Sequence, residues 1–356
     1  MTTETALRNE ATSARLTLRS KMALLLAAGL TLLFLAVTLS ISLGSARIPF
    51  ATVWSIALHR IGPDLIEPFW NAGRENIVWN LRFPRALLAA IVGAGLGMAG
   101  AAIQGTTRNP LADPHLLGVS AGAALGANVA ILLVGNVFGP ATVPLFAFAG
   151  ALFATALIIG IAGLSPGTDR TQLVLAGVAI SFIISAAANL VIMFADPRAI
   201  ASVIFWMMGG FGLAQWSNLL FPLTALIIAG FVFIINARSL NALAMGDESA
   251  TTLGVPVTRL RLILIVASAF ITGVLVAFSG MIGFVGLMMP HIARLLVGGD
   301  NRLVLPASAV LGAIFLVLAD IIARTLTAPN DIPIGIVTGF IGGLFFLAML
   351  VRRRSP

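Results

Sequence analysis

The chain has 356 residues, 59% of them hydrophobic and only 10% charged, which leaves too little polar surface to clothe a soluble globule and makes it an integral membrane protein. Its 21 Lys and Arg outnumber 13 Asp and Glu, but no basic patch is interleaved with aromatics, so the excess fits membrane topology and not nucleic acid. It has no cysteine, and three histidines, His59, His115 and His291, stand without ligand spacing, so disulfide, thiolate and metal chemistry fall away.

The first apolar run, 22–43, follows Arg15, Arg19 and Lys21. A secretory leader has a shorter apolar core and a small-residue cleavage site, so this run is expected to stay as a first transmembrane helix behind a cytoplasmic tail, 1–21. Further runs follow at 86–106, 115–135, 141–162, 171–194, 218–236, 260–280, 286–297, 303–324 and 333–351. Nine of the ten approach the length that roughly 30 Å of hydrocarbon requires. The short one, 286–297, must be buried against protein or extended by its neighbours. The expected fold is all-α, a ten-helix transmembrane domain over 22–351 with both termini on one side and a short tail, 352–356. Placing the termini in the cytoplasm puts two-thirds of the basic residues inside, Arg352 to Arg354 among them. Arg47, Arg60, Arg74, Arg82, Arg85, Arg198 and Arg324 fall outside.

Between the second and third runs lies NPLADPHLLGVSAGAALGA, 109–127. Pro110 and Pro114 restrict its backbone, Asp113 is expected to cap the third helix, and Gly118, Gly122 and Gly126 open a strip along one face. Gly93/Gly97 and Gly335/Gly339/Gly343 repeat at the same step, so backbone-to-backbone packing is expected at three places. Ser181, Ser185 and Asn189 form a mildly polar strip on 171–194, suited either to a lined pathway or to hydrogen bonds between helices.

The longest inside segment is 237–258. Leu240, Leu243 and Ala244 give it a short apolar face, Gly246 breaks the run, Asp247 and Glu248 follow, and a second short helix ends at Gly254 and Pro256. Two short helices joined at a glycine make a compact knob, either a docking element for a cytoplasmic partner or a hairpin that only connects its neighbours. No GxxxxGK[ST] occurs in the chain, so any nucleotide hydrolysis must come from another chain. Asp320 lies one turn from Arg324 and reads as a local pair. An ion-coupled secondary transporter, built on inverted repeats around a mid-membrane acid, therefore fits less well. A membrane enzyme fits less well still, for want of a nucleophile–base set.

Five stretches carry a resemblance: LRFPRALLAAIVGAGLGMAGAAIQGTTRNPLADPHLLGVSAGAALGA (81–127), FWMMGGF (205–211), LNALAMGDESATTLGV (240–255), GFVGLMMPHIARLLVGGDNRLVLPASAVLGAIFLVLADIIAR (283–324) and DIPIGIVTGFIGGLFFLAML (331–350). They resemble the FecCD permeases, membrane subunits of type II ATP-binding-cassette importers for iron siderophores, heme and vitamin B12. The similarity spans 22–351. It implies a homodimer in the bacterial inner membrane, surrounded by lipid, with a periplasmic substrate-binding protein outside. It also implies two cytoplasmic ATPase subunits, which bind the ATP and Mg, so that this chain is no enzyme and holds no cofactor.

The resemblance further implies a pathway between the two copies, lined by 171–194 and about 197–205, to which Ser181, Ser185, Asn189 and Arg198 belong. It assigns ATPase coupling to Leu240, Leu243, Gly246, Asp247, Glu248, Leu253 and Gly254, and receptor docking to Arg82, Arg85 and Arg324. Arg198 is similar to an arginine of the heme-importing branch, and two guanidinium groups near a dimer axis suit the paired propionates of heme. A ferric siderophore and a cobalamin-like corrinoid are the alternatives.

Overall fold

The computed structural model describes residues 3–44, 46–114, 118–164 and 170–352, and each predicted apolar run contains a helix among them. His115, residues 165–169, Arg353 and Arg354 lie outside the described residues. In chain order the helices are α1 (Thr3–Ser42), α2 (Phe50–Ile61), α3 (Ala72–Glu75), α4 (Phe83–Thr107), α5 (Val119–Val129), α6 (Thr142–Leu164), α7 (Arg170–Met193), α8 (Pro197–Met207), α9 (Leu220–Ile235), α10 (Ala237–Ala244), α11 (Asp247–Thr252), α12 (Val257–Ser279), α13 (Val285–Val297), α14 (Asn301–Thr325) and α15 (Ile334–Arg352). Among the described residues eight helical stretches are long and apolar enough to cross a membrane, and the shorter Val119–Val134 and Val285–Val297 complete the expected ten. No strand occurs among the described residues.

Three boundaries differ from expectation. The stretch expected as a tail already belongs to α1, which starts at Thr3. The second span is a stretch of 36 residues, Ala72–Thr107, and not the run 86–106. Asn76–Arg82 within it is a π-helix, which we attribute to Pro84: proline lacks an N–H and its ring displaces the carbonyl four residues back, and the wider turn makes room. The third span starts at Val119 after Gly118, whose φ of 73° is left-handed, so Asp113 is not its cap. Asp113 is buried instead.

Helix α4 sits at the centre, packed on α12, α13 and α14. A methyl added at Gly93 would strike the carbonyl of Gly312, at Gly97 that of Ser308, and at Gly100 that of Gly286. Helices α5 and α6 approach as closely, Gly122 on the Gly150 carbonyl and Gly126 on that of Phe146. The third expected strip is different. Gly335 meets the Met208 carbonyl, but nothing lies within 4 Å of a methyl at Gly339 or Gly343, so that face of α15 is not packed within the chain.

Helix α8 ends and α13 begins in irregular backbone that must be satisfied internally in a membrane. Gly210 N donates to Ser279 O, Ile334 N to Gly209 O and Gly335 N to Met208 O. FWMMGGF thus ends α8 on a glycine turn that holds the start of α15.

Candidate functional site

The residues expected to function fall in three places. The first is the end of the bundle where α4 begins and α14 ends. The last carbonyls of α1 have no partner within their own helix. Arg82 donates to the carbonyls of Ile41, Ser42 and Ala46 at 2.8, 3.1 and 2.6 Å. Arg324 donates to Ser40 O at 2.9 Å and Leu43 O at 3.2 Å. Two cations therefore sit at the negative end of a helix dipole. Asp320, 1% exposed, accepts from Arg324 at 2.9 Å and from Arg85 at 2.9 Å. Arg85 also reaches Asp331 at 2.6 Å.

The three arginines expected to face a receptor are thus brought together, Arg82 and Arg324 turned inward and Arg85 reaching Asp331 at the edge. Arg82 and Arg324 are 7% and 8% exposed. The pairing of Asp320 with Arg324 was legible from their spacing; the contribution of Arg85 was not.

The second place is the exposed side of α7 and α8. Ile180, Ile184 and Ala188 are buried, while Phe182, Ile183, Leu190, Met193 and Phe194 are exposed and Ile204 and Phe205 of α8 continue the apolar surface. The strip expected to line a pathway lies along one flank of this surface. Ser181 is half-buried and donates to Gly177 O at 2.7 Å; Ser185 is half-buried and Asn189 exposed.

Arg198 stands in the first turn of α8, after the N-cap Asp196, whose carboxylate accepts from its backbone N–H at 2.8 Å. Its side chain is exposed and forms no ion pair with a described residue. A cation opposes the positive end of a helix dipole. Helix stability therefore gives no reason for an arginine at this position.

The third place is α10 and α11 at the opposite end of the bundle. Leu240 and Leu243, expected among the coupling residues, are 0% and 1% exposed and belong to the core. Gly246 joins the two helices at φ 124°, ψ 157°, a conformation that excludes side chains. Asp247, expected on the charged outer edge, is turned toward the bundle: Arg108 at the end of α4 lies at 3.4 Å and Arg261 of α12 at 3.0 Å.

Asn241 of α10 donates to Asp300 at 2.7 Å and accepts from the backbone of Asn301 at 2.8 Å. Asp300 caps α14 and pairs with Arg302 at 2.6 Å. The Arg302 hydrogen bond holds its carboxyl at about 2, against an ordinary 3.8, with Asn241 adding to the shift and partial burial opposing it. Among the residues that α10, α11 and their ends present outward are Met245, Glu248, Leu253 and Gly254. Met245 was missed because a methionine beside a glycine reads as a helix end, not as a surface feature.

The FecCD transport family model matches residues 32–352. The chain is 39% identical over 295 residues to the hemin transport system permease protein HmuU of Yersinia pestis, covering 80% of this chain and 87% of that protein. It is 40% identical over 295 residues to the vitamin B12 import system permease protein BtuC of Citrobacter koseri, covering 82% and 89%. A solved inward-facing ABC transporter of proposed metal-chelate type superposes with a TM-score of 0.78 at 30% identity, covering 92% of this chain and 98% of that one.

Proposed function

The chain belongs to the FecCD transport family and is a permease of the ATP-binding-cassette importers, and from that premise we propose that two copies form a pathway for heme across the inner membrane. Near-equal identity to a hemin and a vitamin B12 permease does not choose a cargo. The observation that carries the choice is Arg198, an exposed cation without an ion-pair partner among the described residues, at the edge of the apolar α7–α8 surface. Pairing two copies across that surface buries its phenylalanines and brings two guanidinium groups to one mouth, matched to two propionates. Ser181, Ser185 and Asn189 then flank the pathway.

Both termini and α10–α11 face the cytoplasm in this reading, and Met245, Glu248, Leu253 and Gly254 meet the ATPase subunit that supplies ATP hydrolysis. Leu240 and Leu243 root the knob in the bundle, and Asp247 ties it to α4 and α12. A substrate-binding protein docks at the other end, where Arg85 and Asp331 form the accessible rim and Arg82 and Arg324 hold the ends of α1 and α14 in shape. The test is reconstitution of the dimer with its ATPase and receptor in liposomes. Heme uptake well above that of a ferric siderophore or cobalamin supports the reading, and preference for either of the others replaces it.

A further inference from the structure

Between the ends of α4, α10, α13 and α14 lies a cavity of about 350 Å³, lined among others by Gln104, Arg108, Ala244, His291, Arg294 and Asn301. Among the described residues no carboxylate lines it. Arg294 donates to Gln104 Oε1 at 2.6 Å. The Gln104 amide is itself fixed, because its Nε2 donates to the carbonyls of Gly286 and Leu287 at 3.1 and 3.3 Å.

Neutral Gln104 is the hydrogen-bond partner of Arg294 among the described residues. A guanidinium carries five N–H donors and a full charge, so a half-buried arginine bonded to one amide oxygen keeps most of its donors available to a ligand, with no further protein acceptor among the described residues. Arg108 lines the same cavity, and its carboxylate neighbour, Asp247 at 3.4 Å, lies closer to Arg261 at 3.0 Å. Two cations thus face a space whose size is at the lower end of small-molecule sites.

We propose that this cavity binds a phosphate group, held between Arg294 and Arg108. The planar fork of a guanidinium matches two phosphate oxygens at once, and a phosphate offers oxygens to both forks. The group comes either from an anionic lipid of the adjacent leaflet or from free phosphate. Seated there it neutralises Arg294 and shares Arg108 with Asp247, so the site adjoins the tie between α4 and α11. The inference depends on neither the cargo nor the transport reading, since it is read by binding alone.

The test uses the purified full chain in an uncharged detergent. Thermal midpoints are compared in inorganic phosphate and in chloride at equal ionic strength, and retention of phosphatidylglycerol is followed by native mass spectrometry. Arg294→Gln removes the fixed cation. Gly299→Glu is the second variant: Gly299 lines the cavity and nothing lies within 4 Å of an added Cβ, so a carboxylate can be set at the mouth without a clash.

The wild type is expected to bind one of the two probes, with both variants at least tenfold weaker. Stabilisation by phosphate assigns the site to the free ion, and retained phosphatidylglycerol assigns it to a lipid headgroup. Absence of both in the wild type overturns the proposal, as does equal binding by the wild type and Gly299→Glu. The latter comparison stands even where Arg294→Gln fails to fold.

Discussion

Arg261 of α12 holds Asp247, the first residue of α11, at 3.0 Å. With Arg108 at 3.4 Å, this joins the short helix to two spanning helices. On the proposed coupling role, a push on Met245 or Leu253 would reach α4 and α12 through the Asp247 carboxylate and the core through Leu240 and Leu243. In the proposed reading the exposed face meets the ATPase subunit and the buried face carries its movement inward.

Asp247→Asn should separate these roles. A partly exposed ion pair contributes only about 0–1 kcal/mol to stability, so the thermal midpoint should hardly move. Heme taken up per ATP hydrolysed in proteoliposomes should fall severalfold, while the ATPase subunit stays bound. Unchanged uptake per ATP sinks the idea that Asp247 transmits movement.

The outer cluster predicts an asymmetry between two aspartates. Asp320 is buried between Arg85 and Arg324, whereas Asp331 lies on the rim. Removing one partner of a buried pair costs about 3–5 kcal/mol, because the other charge is left uncompensated. Thermal unfolding in detergent should therefore show a large loss for Asp320→Ala and a loss within about 1 kcal/mol for Asp331→Asn. Equal losses contradict the assignment.

Asp300 gives a pH dependence with a definite sign. Its carboxyl is depressed in the folded chain from 3.8 to about 2, chiefly by the Arg302 hydrogen bond. The carboxylate therefore adds stability that is complete above the unfolded value and is lost as pH falls from there through the folded one. Asn caps a helix about as well as Asp, so Asp300→Asn isolates the charge. The difference in midpoint between the two proteins should be constant above about pH 4 and shrink toward about pH 2. A difference that grows in that window contradicts the argument.

What could be read from the residues follows from what each pattern depends on. Hydropathy depends on composition alone, and it located the ten helices if not all of their ends, while the four-residue spacing of small residues located the contacts of Gly93, Gly97, Gly122 and Gly126. Side-chain direction depends on what packs alongside. Asp247 and Glu248 are equivalent in sequence, yet one faces Arg261 and the other is exposed. Arg82 looked accessible because it was placed at a helix end, whereas the stretch from Ala72 to Thr107 runs past it and the end of α1 folds over it. Gly339 and Gly343 share the spacing of the packed glycines, but no neighbour within one chain meets them.

The central claim, that heme passes the α7–α8 surface by way of Arg198, is tested most directly by the initial rate of heme uptake in proteoliposomes holding the dimer, its ATPase and its receptor. A hydrogen bond to a charged group is worth about 1.5–3 kcal/mol, so Arg198→Ala in both copies should lower the rate tenfold or more where the contact forms in the rate-limiting transfer. Arg198→Lys should recover part of it, keeping the charge without the planar fork, and receptor binding should stay unchanged in both. A heme uptake rate in Arg198→Ala equal to that of the wild type contradicts the account.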